Sequence, residues 1–193
     1  MDLTQGTQYE KHARSRKMML WFGIISMVMT FAGLTSAYIV SSNRPDWISD
    51  FNLPMPFIYS TVAVVLSSIT IIAARFFLKK NDRSKTTLFL GLTVVLGLVF
   101  VFFQLEGFQN FISSGYYVTG AESTITTSFI YVIVLLHLLH LSAGIIVLLV
   151  VMTNQLRGKY TPQQMLGFEL GEIFWHFVDI LWVLLLFFFA FVK

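Results

Sequence analysis

Five long apolar stretches alternate with short polar connections along the 193 residues of the chain. They cover residues of about 18–40, 57–78, 87–105, 126–152 and 171–192, and each reaches the length of about 18 apolar residues that indicates a transmembrane helix. The connections are too short for a separate soluble domain. The pattern therefore predicts an all-α integral membrane protein, in which residues 1–193 form one membrane domain, a bundle of five transmembrane helices.

The first apolar stretch follows a basic segment, residues 1–17, as the core of a signal peptide does. Its apolar run from Met18 to Val40 is longer than the about 7–15 residues of such a core, so we expect it to remain in the protein as a helix. The longest connection is expected outside the membrane, from Gly107 to Ser123.

Lys and Arg concentrate on alternate connections, which predicts the orientation of the bundle. One side carries eleven of them: Lys11, Arg14, Arg16, Lys17, Arg75, Lys79, Lys80, Arg83, Lys85, Arg157 and Lys159. The other side carries Arg44 and Lys193. Because positive residues stay in the cytoplasm, the N-terminus with segment 1–17 is predicted to be cytoplasmic and the C-terminus outside. The basic excess thus reflects topology, and no nucleic-acid partner is expected.

Composition narrows the chemistry that the chain can carry. Hydrophobic residues make up 56% of it and charged residues only 12%, which is typical of a membrane protein. The absence of cysteine excludes disulfides, iron–sulfur clusters, thiolate metal sites and haem attachment through cysteine. Five spans without an internal repeat or a proline inside a span also argue against an inverted-repeat transporter.

Ionisable side chains inside the membrane occur almost only in the fourth and fifth spans. His137 and His140 lie on one face of the fourth helix, and Gly144 on that face would let another helix approach closely. The fifth helix carries a polar stripe within an arc of about 80°: Glu169, Glu172, His176 and Asp179. We expect the two helices to pack side by side, with both histidines facing the stripe, and these six residues to form an intramembrane polar network.

Three roles could use such a network. A metal or haem site would need histidines or carboxylates from several helices, and a proton path across the membrane would need polar groups beyond Asp179, where the fifth span is wholly apolar. A partial proton path from the cytoplasmic side stays open. The interpretation that we favour is a hydrogen-bonded contact that fixes the packing of the helices, with no catalytic residue and no metal.

Several segments resemble one known family, subunit III of haem-copper terminal oxidases of the cytochrome c oxidase type. They are HLLHLSAG (137–144), GFE (167–169), WHFVD (175–179) with Trp182 after it, and FGIISMVMTFAG (22–33) in the first span. Five spans are similar to the short bacterial form of this subunit, which lacks the two leading helices of the longer form. Beside Gly144, Trp175 and Trp182 are expected to contribute to helix packing.

The resemblance implies an accessory subunit of a respiratory oxidase in the bacterial inner membrane. It would hold no redox centre, while haem and copper lie in partner subunits, and it would stabilise the catalytic subunit I and support proton uptake, with Glu169 as the proton-collecting group. The resemblance also implies bound phospholipid, contacts with other oxidase subunits and membership of a larger respiratory supercomplex.

Two departures from the family pattern limit this transfer. Met27 stands where the family usually has a membrane-embedded glutamate, and the Q-x-x-E pattern keeps Gln104 but has Gly107 at the glutamate position. The electron donor is left open, so a quinol oxidase subunit III and an accessory protein of nitric oxide reductase are alternatives. An orphan membrane transporter or an assembly factor is a further alternative.

Overall fold

A computed structural model describes residues 8–45, 47, 54–117 and 124–192. Within these residues the chain forms five α-helices, each long and apolar enough to cross a membrane. In chain order they are α1 (Gln8–Ser41), α2 (Met55–Lys79), α3 (Arg83–Ser113), α4 (Ile125–Leu156) and α5 (Leu166–Phe191). The prediction of an all-α membrane protein with five spanning helices is confirmed.

Local sequence explains where the helices begin. Pro56, which has no N–H, lies in the first turn of α2, and the Asp82 carboxylate accepts a hydrogen bond from the backbone N–H of Lys85 at the start of α3. This bond lowers the pKa of Asp82 below its ordinary value. Thr124 and Thr127 form a reciprocal capping box at the start of α4. Each device supplies partners for, or avoids, the free N–H groups of a first helical turn.

Two helices extend beyond the apolar stretches that predicted them. α1 begins at Gln8, so the described part of the basic N-terminal segment is helical. α3 continues to Ser113, which shortens the connection expected from Gly107 onward. The additional turns of α3 are stabilised by packing, because Gly107 lies directly against the Phe57 ring and Phe111 is buried. Residues 1–7, 118–123 and Lys193, which belong to the predicted terminal and outer segments, lie outside the described residues.

The helices form a bundle in which α1 is peripheral. α2 packs mainly along α3, and α5 contacts α1, α2 and α4. α1 contacts α4 and α5, and its buried residues Ile24, Phe31 and Tyr38 recur every seven residues along one face. In the most apolar 18 residues of α1, only 11% are buried inside the bundle, whereas 28–44% are buried in the corresponding segments of the other four helices.

The N-termini of α1, α3 and α5 and the C-termini of α2 and α4 lie together. Ion pairs join Lys17 of α1 and Arg75 of α2 to Glu169 of α5, and Arg83 of α3 donates a hydrogen bond to the Gly158 carbonyl just after α4. We call this the basic end of the bundle, because the eleven Lys and Arg residues that predicted the orientation lie in or beside these helix termini.

Candidate functional site

The polar stripe of α5 contacts α2, and at the basic end it also contacts α1. Lys17 Nζ lies 2.7 Å from Glu169 Oε2, and Arg75 Nη2 lies 3.7 Å from Glu169 Oε1. The same guanidinium reaches one turn deeper, where Nη1 lies 3.2 Å from Glu172 Oε2. Glu169 is partly exposed whereas Glu172 is buried. Arg75 therefore links a carboxylate near the surface to one inside the bundle.

A longer His176–Glu172 contact and then hydrogen bonds continue this connection toward the middle of the membrane. Nε2 of His176 lies 4.0 Å from Glu172 Oε1, and its Nδ1 lies 3.1 Å from the Ser68 hydroxyl. Ser68 donates a hydrogen bond to Oδ2 of Asp179, and Ser67 donates a longer one, 3.4 Å, to the same oxygen.

Together these contacts form one series that runs from the basic end into the core. We call it the polar chain; its members are Lys17, Glu169, Arg75, Glu172, His176, Ser68, Asp179 and Ser67. Buried charges and hydroxyls are costly in a membrane unless they are paired. The polar chain gives each of these residues a partner, although Arg75 Nε and Asp179 Oδ1 have no hydrogen-bond partner among the described residues. Such a series can stabilise the α2–α5 contact, and it can hold or relay protons between its carboxylates and the histidine.

His137 and His140 do not belong to the polar chain, which corrects the expectation that both face the stripe. The His137 ring is fully buried between Trp182 and Phe100, with ring centroids 5.2 and 6.0 Å away, and its nitrogens have no hydrogen-bond partner among the described residues. His140 turns toward α1, where its ring lies against Phe31, and its Nδ1 lies 2.7 Å from the Leu136 carbonyl oxygen of its own helix.

The physical reason is the packing of two faces with a seven-residue spacing. His137 and Gly144 lie on one face of α4, and Trp175 and Trp182 lie on one face of α5. These two faces meet, because Gly144 leaves room for the Trp175 ring: a Cβ on Gly144 would lie 3.2 Å from its Cε3. The stripe lies on the neighbouring face of α5 and is thereby directed toward α2.

Both tryptophans also bond to α2. The indole N–H of Trp175 donates to the Ser67 hydroxyl at 3.0 Å, and the indole N–H of Trp182 donates to the Thr61 hydroxyl at 3.0 Å. Trp175 further lies against Gly97 of α3, where a Cβ would be 2.8 Å from its Cη2. Gly144, Trp175 and Trp182 thus lie at the contacts where α5 meets α2, α3 and α4.

Sequence reasoning missed the partners that α2 and α1 supply. Ser67 and Ser68 are small hydroxyl residues in an apolar helix, which are common in membrane spans, and Arg75 and Lys17 lie near span ends, where they serve equally well as orientation signals. One signal was available in the sequence. Ser67 and Ser68 precede Arg75 by eight and seven residues, so all three lie on one face of α2.

The structure shows the surroundings of the residues at which the sequence departs from the family pattern. Met27 on α1 is partly buried, and Gln104 of α3 is buried and donates a hydrogen bond from Nε2 to the Ser60 hydroxyl of α2 at 2.8 Å. Gly107 lies against Phe57. In the part of the chain that the structure describes, no three His, Asp or Glu residues form a group that could hold a metal ion.

Residues 4–192 match the family Cytochrome c oxidase subunit III. The chain belongs to this family. Curated relatives include the Cytochrome c oxidase subunit 3 of Thermostichus vulcanus, 29% identical over 91% of this chain and 86% of the relative, and that of Papio hamadryas, 30% identical over 95% of this chain and 74% of the relative. The Cytochrome bo(3) ubiquinol oxidase subunit 3 of Pseudomonas aeruginosa is 27% identical over 84% of this chain and 78% of the relative.

Subunit III membership accounts for the sequence segments that carried the resemblance. The matched range includes the whole of α1 to α5. The resemblance to oxidase subunit III is therefore confirmed, and the function it implies, an accessory subunit of such an oxidase, fits the fold and the matched relatives.

Proposed function

We propose that this chain is the non-catalytic subunit III of a respiratory haem-copper oxidase, most simply a cytochrome c oxidase. The observation that carries the proposal is the family match over nearly the whole chain. The complex as a whole would pass electrons to oxygen and translocate protons. Haem and copper would lie in partner subunits, and this chain would stabilise the catalytic subunit I against which it packs.

We place the basic end of the bundle in the cytoplasm of a bacterium and the opposite end outside, in the inner membrane. The distribution of Lys and Arg supports this orientation. Phospholipid bound along the bundle, contacts with other oxidase subunits and membership of a larger respiratory supercomplex belong to the same proposal.

The polar chain has two roles in this proposal. Its hydrogen bonds hold α5 on α2, and Glu169, partly exposed at the basic end, collects protons near the cytoplasmic surface. Glu172, His176 and Asp179 extend the protonatable groups inward, and beyond Asp179 the α5 sequence is apolar. The proposal is therefore support of proton uptake from one side, without a path across the membrane through α5.

One observation favours a second electron donor. The relative from Pseudomonas aeruginosa is named a ubiquinol oxidase subunit, and it matches about as well as the relatives named for cytochrome c. The donor site would lie on a partner subunit. Oxygen consumption by the purified complex, with reduced cytochrome c or with ubiquinol as the donor, separates the two candidates.

Purification of the tagged chain tests the proposal as a whole. We expect copurifying chains to carry haem that is visible in the absorption spectrum, while this subunit is colourless after separation. Material without haem would contradict the oxidase assignment and favour an orphan transporter or an assembly factor. A complex that contains haem but reduces nitric oxide instead of oxygen would favour the accessory protein of a nitric oxide reductase.

A further inference from the structure

A second polar site lies at the basic end, away from the polar chain. It is an open cleft of about 460 Å³ between the first turns of α3 and the last turn of α4. Its lining consists of Arg83, Ser84, Thr87, Leu88, Gln155 and Leu156. Neither the family assignment nor the proposed oxidase role uses this cleft.

Gln155 is the residue that sets the cleft apart from an ordinary helix terminus. It is only 3% exposed, yet neither its amide nitrogen nor its amide oxygen has a hydrogen-bond partner among the described residues. A buried amide without partners costs about 1–3 kcal/mol for each group left unsatisfied. Gln155 lines the cleft, and a polar group bound there that reaches its amide would recover that cost.

The charges around Gln155 favour an anion as that group. Arg83 donates one hydrogen bond, from Nη2 to the Gly158 carbonyl oxygen at 3.0 Å, and a guanidinium has five N–H donors. The first turn of α3 adds the positive end of a helix of 31 residues. The neighbouring Asp82 carboxylate is already engaged by Lys85, through its backbone N–H and its Nζ at 3.2 Å.

Arg83 is held in place by the chain reversal after α4. Gly158 has a φ of +70°, which favours glycine, and a Cβ there would lie 2.4 Å from Arg83 Nη2. The guanidinium of this exposed arginine therefore lies against the glycine, between the end of α4 and the start of α3. A side chain fixed in this way loses little freedom when it binds a ligand.

We propose that this cleft binds a phosphate group, through the Arg83 guanidinium, the Ser84 hydroxyl and the Gln155 amide N–H. Guanidinium and hydroxyl donors around a helix N-terminus suit tetrahedral phosphate oxygens. The phosphate belongs either to the headgroup of a phospholipid or to a soluble phosphate compound. The proposal does not depend on the oxidase role, because it rests on the cleft alone.

Hydrogen–deuterium exchange of the purified full chain, with any chains that copurify, tests the site in two arms. In detergent, inorganic phosphate is titrated at constant ionic strength. In nanodiscs, phosphatidylcholine alone is compared with phosphatidylcholine plus phosphatidylglycerol. The readout is protection of backbone amides in residues 83–88 and 153–158. Protection by inorganic phosphate identifies a soluble ligand, and protection only with phosphatidylglycerol identifies a lipid headgroup.

Gln155→Leu should raise the phosphate or phosphatidylglycerol concentration for half-protection by about tenfold, the effect of one lost hydrogen bond to a charged group. Gln109→Leu, the same change on an exposed residue near the other end of α3, should behave as the wild type. Ser84→Ala, an exposed substitution that leaves the fold intact, should weaken protection in the same direction as Gln155→Leu. Absence of protection in both arms, or unchanged protection in Gln155→Leu and Ser84→Ala, would overturn the proposal.

Discussion

Asp179 illustrates how a single carboxylate can join two helices inside a membrane. It is 3% exposed and accepts hydrogen bonds from Ser67 and Ser68, so its partners are hydroxyls of α2. The histidine nearest to it along the polar chain, His176, reaches it only through Ser68. Removal of the carboxylate would therefore break both of these bonds between α5 and α2, although the Ser67 hydroxyl would keep the Val64 carbonyl oxygen, 2.7 Å away, as an acceptor.

We predict that Asp179→Ala lowers the stability of the α2–α5 contact by about 1–3 kcal/mol, because the hydrogen bonds that join Asp179 to Ser67 and Ser68 are lost. The thermal unfolding midpoint of the purified protein, measured in detergent, checks this. Asp179→Asn keeps an acceptor oxygen of the same size, so it should lose much less. A midpoint for Asp179→Ala equal to that of the wild type would show that these hydrogen bonds do not stabilise the fold.

Two glycines that the sequence alone does not distinguish differ in the space around them. Gly97 lies against Trp175, whereas the space beside Gly33 is open, with no atom within 4 Å of an added Cβ. We predict that Gly97→Ala destabilises the protein by about 1–3 kcal/mol through overpacking. Gly33→Ala, as the matched control, should be neutral or slightly stabilising, since alanine favours helix formation. Equal unfolding midpoints for the two variants would refute this account of Gly97.

At the scale of elements, α1 depends on few contacts with the rest of the bundle. At the basic end it has the ion pair of Lys17 with Glu169, and ion pairs with exposed partners contribute only about 0.2–1 kcal/mol. At the opposite end Tyr38 is fully buried, and its ring lies against Trp47, Phe129, Phe188 and Phe189. This aromatic contact is the larger of the two.

Truncation of that ring should loosen α1 while α2 to α5 remain packed. We predict that Tyr38→Ala accelerates hydrogen exchange in the C-terminal half of α1, because a large buried ring that contacts four others is lost. Tyr38→Phe is the control: its hydroxyl has no partner among the described residues, so exchange should match the wild type. Uniform acceleration over all five helices in Tyr38→Ala would contradict the separate behaviour of α1.

The elements also show the limit of sequence reasoning. Hydrophobic length located all five helices, and periodicity located the stripe of α5. The ends of α1 and α3 were not predictable from apolar length, because a basic segment and a glycine-containing turn can be helical or irregular according to what they contact. The positions of His137 and His140 depended on which helix α5 meets on each face, and this follows from the fit of Trp175 against Gly144 and Gly97.

For the whole molecule, the orientation in the membrane is the property that most needs a direct test. The chain contains no cysteine, so a single introduced cysteine gives an unambiguous label. In spheroplasts we predict that a membrane-impermeant maleimide labels Tyr117→Cys, which lies near the end opposite the basic end, and labels Lys80→Cys only after permeabilisation. Both positions are exposed in the bundle. Labelling of Lys80→Cys in intact spheroplasts would reverse the proposed orientation.

The sequence by itself determined the five spans, the placement of the basic residues, the polar face of α5 and the resemblance to subunit III, because each depends on residue type and local spacing. The tertiary structure decided that the stripe contacts Ser67, Ser68 and Arg75 of α2 while His137 packs against Trp182. Periodicity predicts which face of a helix is polar. Which neighbouring helix covers that face depends on how large rings fit against small residues, and this fit exists only in the tertiary structure.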